Sequence, residues 1–194
     1  MADKYDLPPY VLSRVRYYDG EYLKDDEFID EQKYHVDRRQ RHDRLLHVAG
    51  VCEGLVPSLV DAKTIKVAAG TAIDDQGHTI LIDLEQTIAV KPENNGALFI
   101  ELLFAEKEDR PADGNSAVAS NTRFSQAPVL QLAAAPHAHA IVLGQASILS
   151  GITQSVTTTG RVYSGLRMPG PGNAGYVLHA RGDSAPGLVD LKCS

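Results

Sequence analysis

Two histidines and an aspartate, His42, Asp43 and His47, lie close together in the chain. On a helix Asp43 and His47, four apart, share a face, and a carboxylate beside an imidazole can orient it as a general acid or base. A hydrolase built on them would need a nucleophile delivered by the fold, because no Ser or Cys stands beside them in sequence. The plainer reading is a surface helical pair or an interface contact. His137 and His139 alternate, so on a strand they share a face, where two imidazoles can ligate a metal. No Cys, Asp or Glu adjoins them to complete a shell, and a loop pair is the plainer reading. His35 and His42 are seven apart; around a threefold axis, three copies would supply three ligands. The acidic run Asp25, Asp26, Glu27 has the paired carboxylates of an acid–base site, but its place at a helix start accounts for it. Asp74 and Asp75 read as turn residues. No catalytic, cofactor or metal residue is assigned, and the chain is read as a non-enzyme.

Three further motifs carry little. The glycines around position 170 do not link a strand to a helix, so they fail as a phosphate loop. Arg181-Gly182-Asp183 is an adhesion tripeptide and equally ordinary turn chemistry. The basic run Arg38, Arg39, Arg41, Arg44 could grip phosphate, yet the formal net charge is −6. On an acidic chain such a run pairs with carboxylates of its own subunit or a partner, and no nucleic-acid partner is expected. Cys52 and Cys193 are too few for a disulfide framework or a zinc site, and are expected as free thiols. There is no apolar signal region near Met1 and no run of membrane-span length, so synthesis in the cytoplasm without membrane insertion is expected.

The elements that must position these residues follow from the pattern. With 194 residues and 43% hydrophobic content, the chain can bury one core. Residues 1–24 contain Pro8, Pro9 and an Asp19-Gly20 turn, and read as an extended arm. Residues 25–48 lack Pro and Gly, open acidic and close basic, complementing the helix dipole; Gly50 offers a stop. Phe28, Gln32, His35, Arg39, His42 and Leu46 form one row of that helix. The row is too polar for a deeply buried helix, so it faces solvent or a polar partner. Residues 49–163 read as a β domain. Thr64–Val67, Thr71–Ile73 and Thr79–Ile82 are strand-like, the last two joined by the Asp74-Asp75-Gln76-Gly77 turn as a hairpin. Thr87–Lys91 and Ala97–Ala105 add strands. Residues 106–125 read as a long loop, 140–149 as a strand pair with Gly144 marking a bulge, and 153–159 as an edge strand. Residues 164–194 form a Gly/Pro-rich β tail without a core of its own.

One stretch resembles a known family. Residues 17–55 read Tyr-Tyr-Asp-Gly-Glu-Tyr-Leu-Lys-Asp-Asp-Glu-Phe, then Glu-Gln-Lys-Tyr-His, then Arg-His-Asp-Arg-Leu-Leu-His, then Gly-Val-Cys-Glu-Gly-Leu. This resembles the N-terminal baseplate-attachment region of tail-fibre proteins of contractile phage tails and related contractile injection systems. Residues 69–83 are similar to the hairpin that follows there, and 141–161 to a later strand, turn and Thr-Thr-Gly-Arg close. The resemblance supplies no catalytic residue. It implies a homotrimeric structural subunit of an assembled tail or injection particle, held on baseplate proteins and carrying a distal fibre or receptor-binding element. It makes residues 164–194 the start of a shaft, its strands intertwined in the trimer. Tyr17, Tyr18, Phe28, Tyr34, His35, Leu45, Leu46 and His47 match the motif's aromatic, apolar and His positions. Arg38, Arg39, Arg41 and Arg44 match its basic run. The expected partner or trimer interface comprises those residues except His47, together with His42.

The reading is therefore an α+β, mainly β protein: extended arm, one long helix, antiparallel β domain, extended β tail. Its function is to anchor a tail fibre, directly or as a fibre adaptor, and so to serve host attachment. Two alternatives come from other classes. One is a surface glycan- or protein-binding module using loop 106–125 or the 181–183 turn; the other is a hydrolase using His42, Asp43 and His47.

Overall fold

A computed structural model describes residues 10–20, 22–111, 121–168, 176–179 and 191–192. The Arg-Gly-Asp turn and Cys193 lie outside them. The helix α1 spans Asp25–Leu46. At its start Glu27 reaches back to accept the Lys24 backbone N–H at 2.7 Å, meeting one of the amides that a helix start leaves without a partner. It ends two residues before the expected position, because His47 is already extended (φ −113°, ψ 153°). Gly50 is not the stop; it opens the first strand, β1 (Gly50–Gly54).

The chain then continues through β2 (Pro57–Asp61), β3 (Thr64–Val67), β4 (Gly70–Ile73), β5 (Thr79–Ile82), β6 (Gln86–Ala89) and β7 (Gly96–Leu103). After these come β8 (Glu106–Pro111), β9 (Asn121–Gln126), β10 (Val129–Ala133), β11 (Ile141–Leu149) and β12 (Ile152–Thr157). The described tail holds β13 (Gly165–Met168), β14 (Tyr176–His179) and β15 (Leu191–Lys192). The protein is mainly β in an α+β arrangement, with one helix and antiparallel sheets among the described residues.

Three sheets, ordered β1-β4-β5, β2-β3-β6 and β10-β7-β11-β12, share one core. Its floor is fully buried β-branched and Leu side chains: Val51, Ile65, Val67, Ile80, Ile100, Leu102 and Leu143. These residue types suit a pleated, buried surface. Val90 N–H to Lys63 C=O at 2.8 Å extends the β3–β6 ladder, and Thr153 N–H to Ala62 C=O at 2.8 Å joins β12 to the connection between β2 and β3. The expected hairpin is β4–β5, with Gly70 opposite Ile82 and Ile73 opposite Thr79.

Two local expectations are corrected. Residues 106–125 are not simply a loop, because β8 and β9 pair as a two-stranded ribbon, Glu106 opposite Gln126. Residues 141–149 are one strand, not a pair, and its register shifts between Val142 and Gly144, a bulge at the expected glycine. β12 stands at the edge of its sheet. The described tail strands pair with one another in the order β13-β14-β15.

The helix is attached by polar means. The side it turns inward is Ile29, Lys33, Asp37, Gln40, Asp43 and His47, spaced three and four apart, and Ile29 is the apolar member. Gln40 lies against the β4–β5 turn, where a side chain on Gly77 would sit 2.1 Å from its carbonyl oxygen. The Thr79 hydroxyl donates to Asp43 Oδ2 at 3.3 Å. Beyond the helix end, Val48 N–H donates to Gly165 C=O at 2.9 Å, and His47 bridges to Leu166.

Candidate functional site

The residues expected at an interface lie along the arm and α1. Tyr17, Tyr18, Phe28, His35, Arg38, Arg39, His42, Arg44, Leu45 and Leu46 are exposed; Tyr34 and Arg41 are half-buried. The predicted helix row from Phe28 to Leu46 thus points away from the core. Phe28 is 49% exposed and Leu45 57%, large values for apolar side chains on a described surface. Val36 also lies bare on the helix, and Tyr10 and Leu12 on the arm.

The arm lies back along the helix. The Tyr17 hydroxyl bonds to Glu31, and the Arg41 guanidinium stands over the Tyr10 ring, 5.2 Å from its centroid. Moving backward through the arm from Tyr17 to Tyr10 therefore moves forward along the helix from Glu31 to Arg41. Arg38 stands 5.0 Å from the Tyr34 centroid, and Arg39 Nε is 4.0 Å from Asp43 Oδ2. Aromatic and Arg side chains arranged this way are the types that dominate interface energetics.

The histidines separate into two groups. His42, Asp43 and His47 come together at the helix end, with their ligand atoms all within 4.8 Å of one another. The His42 and His47 rings are 5.7 Å apart, tilted at 49°. His35 belongs elsewhere, 3.9 Å from Glu31 and edge-on to Tyr34. His137 and His139 do not share a ligand set. His137 binds Glu101 through both its backbone N–H, at 3.0 Å, and its ring. His139 Nδ1 is 2.7 Å from Asp75 Oδ1.

Sequence reasoning missed two of these carboxylates as organising groups. Glu101 is fully buried in the middle of β7, on the face opposite Leu98, Ile100 and Leu102, and also accepts Gln131 Nε2 at 2.7 Å. Its position in an apolar strand was the available signal. Asp74 accepts the Gln76 and His78 backbone N–H groups at 2.9 and 2.8 Å, and meets His78 Nδ1 at 2.7 Å. Burial pushes its pKa up, but the bonds from the His78 ring and backbone and from Gln76 outweigh this and hold it below the ordinary Asp value. His78 in turn stacks flat on Phe104 at 4.1 Å. The Asp-x-x-x-His spacing at 74–78 was legible but read as a turn alone.

For the hydrolase alternative, the fold brings Cys52 within the field of Asp43. Its thiol is pushed up, first by burial and then by Glu53 and Asp43, against a bond with Ser164 that pulls it down. A thiol held protonated is a poor nucleophile.

No family model matches the chain, and no curated protein matches it. Among solved structures, one described as the crystal structure of TssK superposes with a TM-score of 0.47 at 12% identity. The match covers 75% of this chain and 40% of that one. A score and an identity this low do not establish a shared fold or function.

Proposed function

We propose that this chain is a structural subunit, a tail fibre or fibre adaptor, that anchors a fibre to the baseplate of a contractile phage tail or injection particle. It acts as a homotrimer, with the arm and α1 as its anchor. The observation that carries the reading is the helix itself. Its inward side is polar and its apolar residues Phe28, Val36, Leu45 and Leu46 are exposed. A helix so placed gains little from its own core and has its apolar surface left for a partner. The same segment bears the motif of residues 17–55 that resembles baseplate-attachment regions.

Light scattering after size exclusion, at two concentrations, tests the oligomer. A mass near three times 21.0 kDa is expected. The double variant Phe28→Asp, Leu46→Asp should reduce it to the monomer while keeping the circular dichroism of the parent. A parent that is monomeric at both concentrations overturns the trimer. Co-purification with baseplate proteins, lost in the same variant, tests the anchor.

A second reading rests on the β8–β9 ribbon, which forms a sheet of its own and exposes Phe124. It makes the chain a surface glycan- or protein-binding module. Binding of a cell-surface preparation that is lost in Phe124→Ala and unaffected by Phe28→Asp would favour it.

A further inference from the structure

The end of α1 brings together three donors, of which His42 also belongs to the expected interface and Asp43 is held by Thr79. We propose that His42, Asp43 and His47 bind a divalent transition-metal ion of the zinc class.

Four observations converge. The three donor atoms already lie within 4.8 Å of one another. Ligands of one tetrahedral zinc ion, each about 2.0–2.2 Å from the metal, stand roughly 3.3–3.6 Å apart. Closing the remaining gap of about an ångström takes side-chain rotation on a helix end, not rearrangement of the fold. The donor set, two imidazoles and one carboxylate, suits Zn²⁺, Fe²⁺ or Co²⁺, not the all-oxygen shells of Mg²⁺ or Ca²⁺.

The backbone explains how the set forms. Asp43 and His47 are four apart, and the chain leaves the helix at His47 in an extended conformation, with its N–H still bonded to Asp43 C=O at 2.9 Å. The ring of His47 thereby comes alongside that of the preceding turn's His42. The carboxylate is pre-oriented: Asp43 is 9% exposed, and the Thr79 hydroxyl holds Oδ2 from the opposing hairpin at 3.3 Å. An outer partner on a ligating carboxylate is a common feature of metal sites.

Charge and access also fit. The carbonyl end of a helix attracts a cation, and the site stands within its last turn. His42 is exposed, so an ion can enter from solvent. Three protein donors leave a fourth position for water. Arg39 is the local competitor, its Nε 4.0 Å from the same Asp43 oxygen. Through Asp43 and Thr79, a bound ion would tie the helix end to the β4–β5 hairpin.

The test uses untagged full-length protein stripped with chelator and titrated with Zn²⁺ alone by calorimetry, and with Co²⁺ alone by visible absorption. One ion per chain is expected, with a Co²⁺ spectrum of low coordination number. His42→Ala and His47→Ala should each weaken binding at least tenfold, and Arg39→Gln should tighten it several-fold. His35→Ala should leave it unchanged. His42 is exposed, so its alanine variant should keep the parent's circular dichroism and chelator-treated melting temperature, separating loss of the site from loss of the fold. Absence of binding at millimolar Zn²⁺ overturns the proposal. So does parental affinity in both the His42 and His47 variants, which would place the ion elsewhere.

Discussion

Replacing Gly77 by alanine tests whether the polar-sided helix is truly docked on the β domain. Gly77 has φ +86°, in the left-handed region, and a Cβ there would stand 2.1 Å from the Gln40 carbonyl oxygen. Ordinary contact begins near 3.4 Å, so the helix and turn must separate by about 1.3 Å (3.4 − 2.1). Gly96 provides the matched control: its φ is +89° and nothing lies within 4 Å of its Cβ position. Both alanines incur left-handed strain of about 1–2 kcal/mol. Subtracting one from the other removes that shared cost and leaves the steric one. Overpacking against a backbone atom costs about 1–3 kcal/mol. For a chain of this size that is an additional fall of roughly 2–12 °C in melting temperature. Urea and thermal unfolding give the difference. Hydrogen exchange supplies the local readout, with α1 amides losing protection in Gly77→Ala and not in Gly96→Ala. Equal destabilisation by the two substitutions, with α1 equally protected, would refute the packing of Gln40 on the turn.

Other expectations follow from single sites. Asp74 has a folded pKa below its ordinary value, so its ionised form contributes stability that is present above the ordinary Asp range and lost as pH falls through the depressed value. Asp74→Asn should cost about 1–3 kcal/mol at neutral pH. The gap to the parent should close in melting curves taken progressively below pH of about 4. A gap that widens on acidification contradicts the assignment. His137→Ala removes the ring partner of the fully buried Glu101 and leaves the residue-137 backbone N–H and Gln131. About 1–3 kcal/mol should be lost, and Glu101→Gln combined with it should cost less than the sum of the single changes. Leu143→Ala empties a fully buried position shared by the three sheets and should cost about 2–5 kcal/mol by urea unfolding. A loss under 1 kcal/mol would mean the core closes around it.

Much of the fold could be read along the chain because the governing physics is local. The helix shows in its acidic first turn and uninterrupted run, and the β4–β5 hairpin in short β-branched strands around a polar turn. The β8–β9 ribbon did not show, because strands such as Glu106–Pro111 lack the apolar alternation by which half-buried strands are recognised. β1 and β2 were obscured by their brevity and by Gly54 and Pro57 at their limits.

The candidate site divides in the same way. Sequence alone put His42, Asp43 and His47 near one another and made the Phe28-to-Leu46 row too polar for a core. Tertiary structure decided which side of the helix turned inward, because Gln40 and Asp43 meet a hairpin whose closeness depends on Gly77. It also paired two histidines with carboxylates far away in the chain, His139 with Asp75 and His137 with Glu101. Periodicity reports the face a residue occupies on its own element. It carries no information about which distant element meets that face, and that meeting fixed the burial of Asp43 and the pairing of Glu101 with His137.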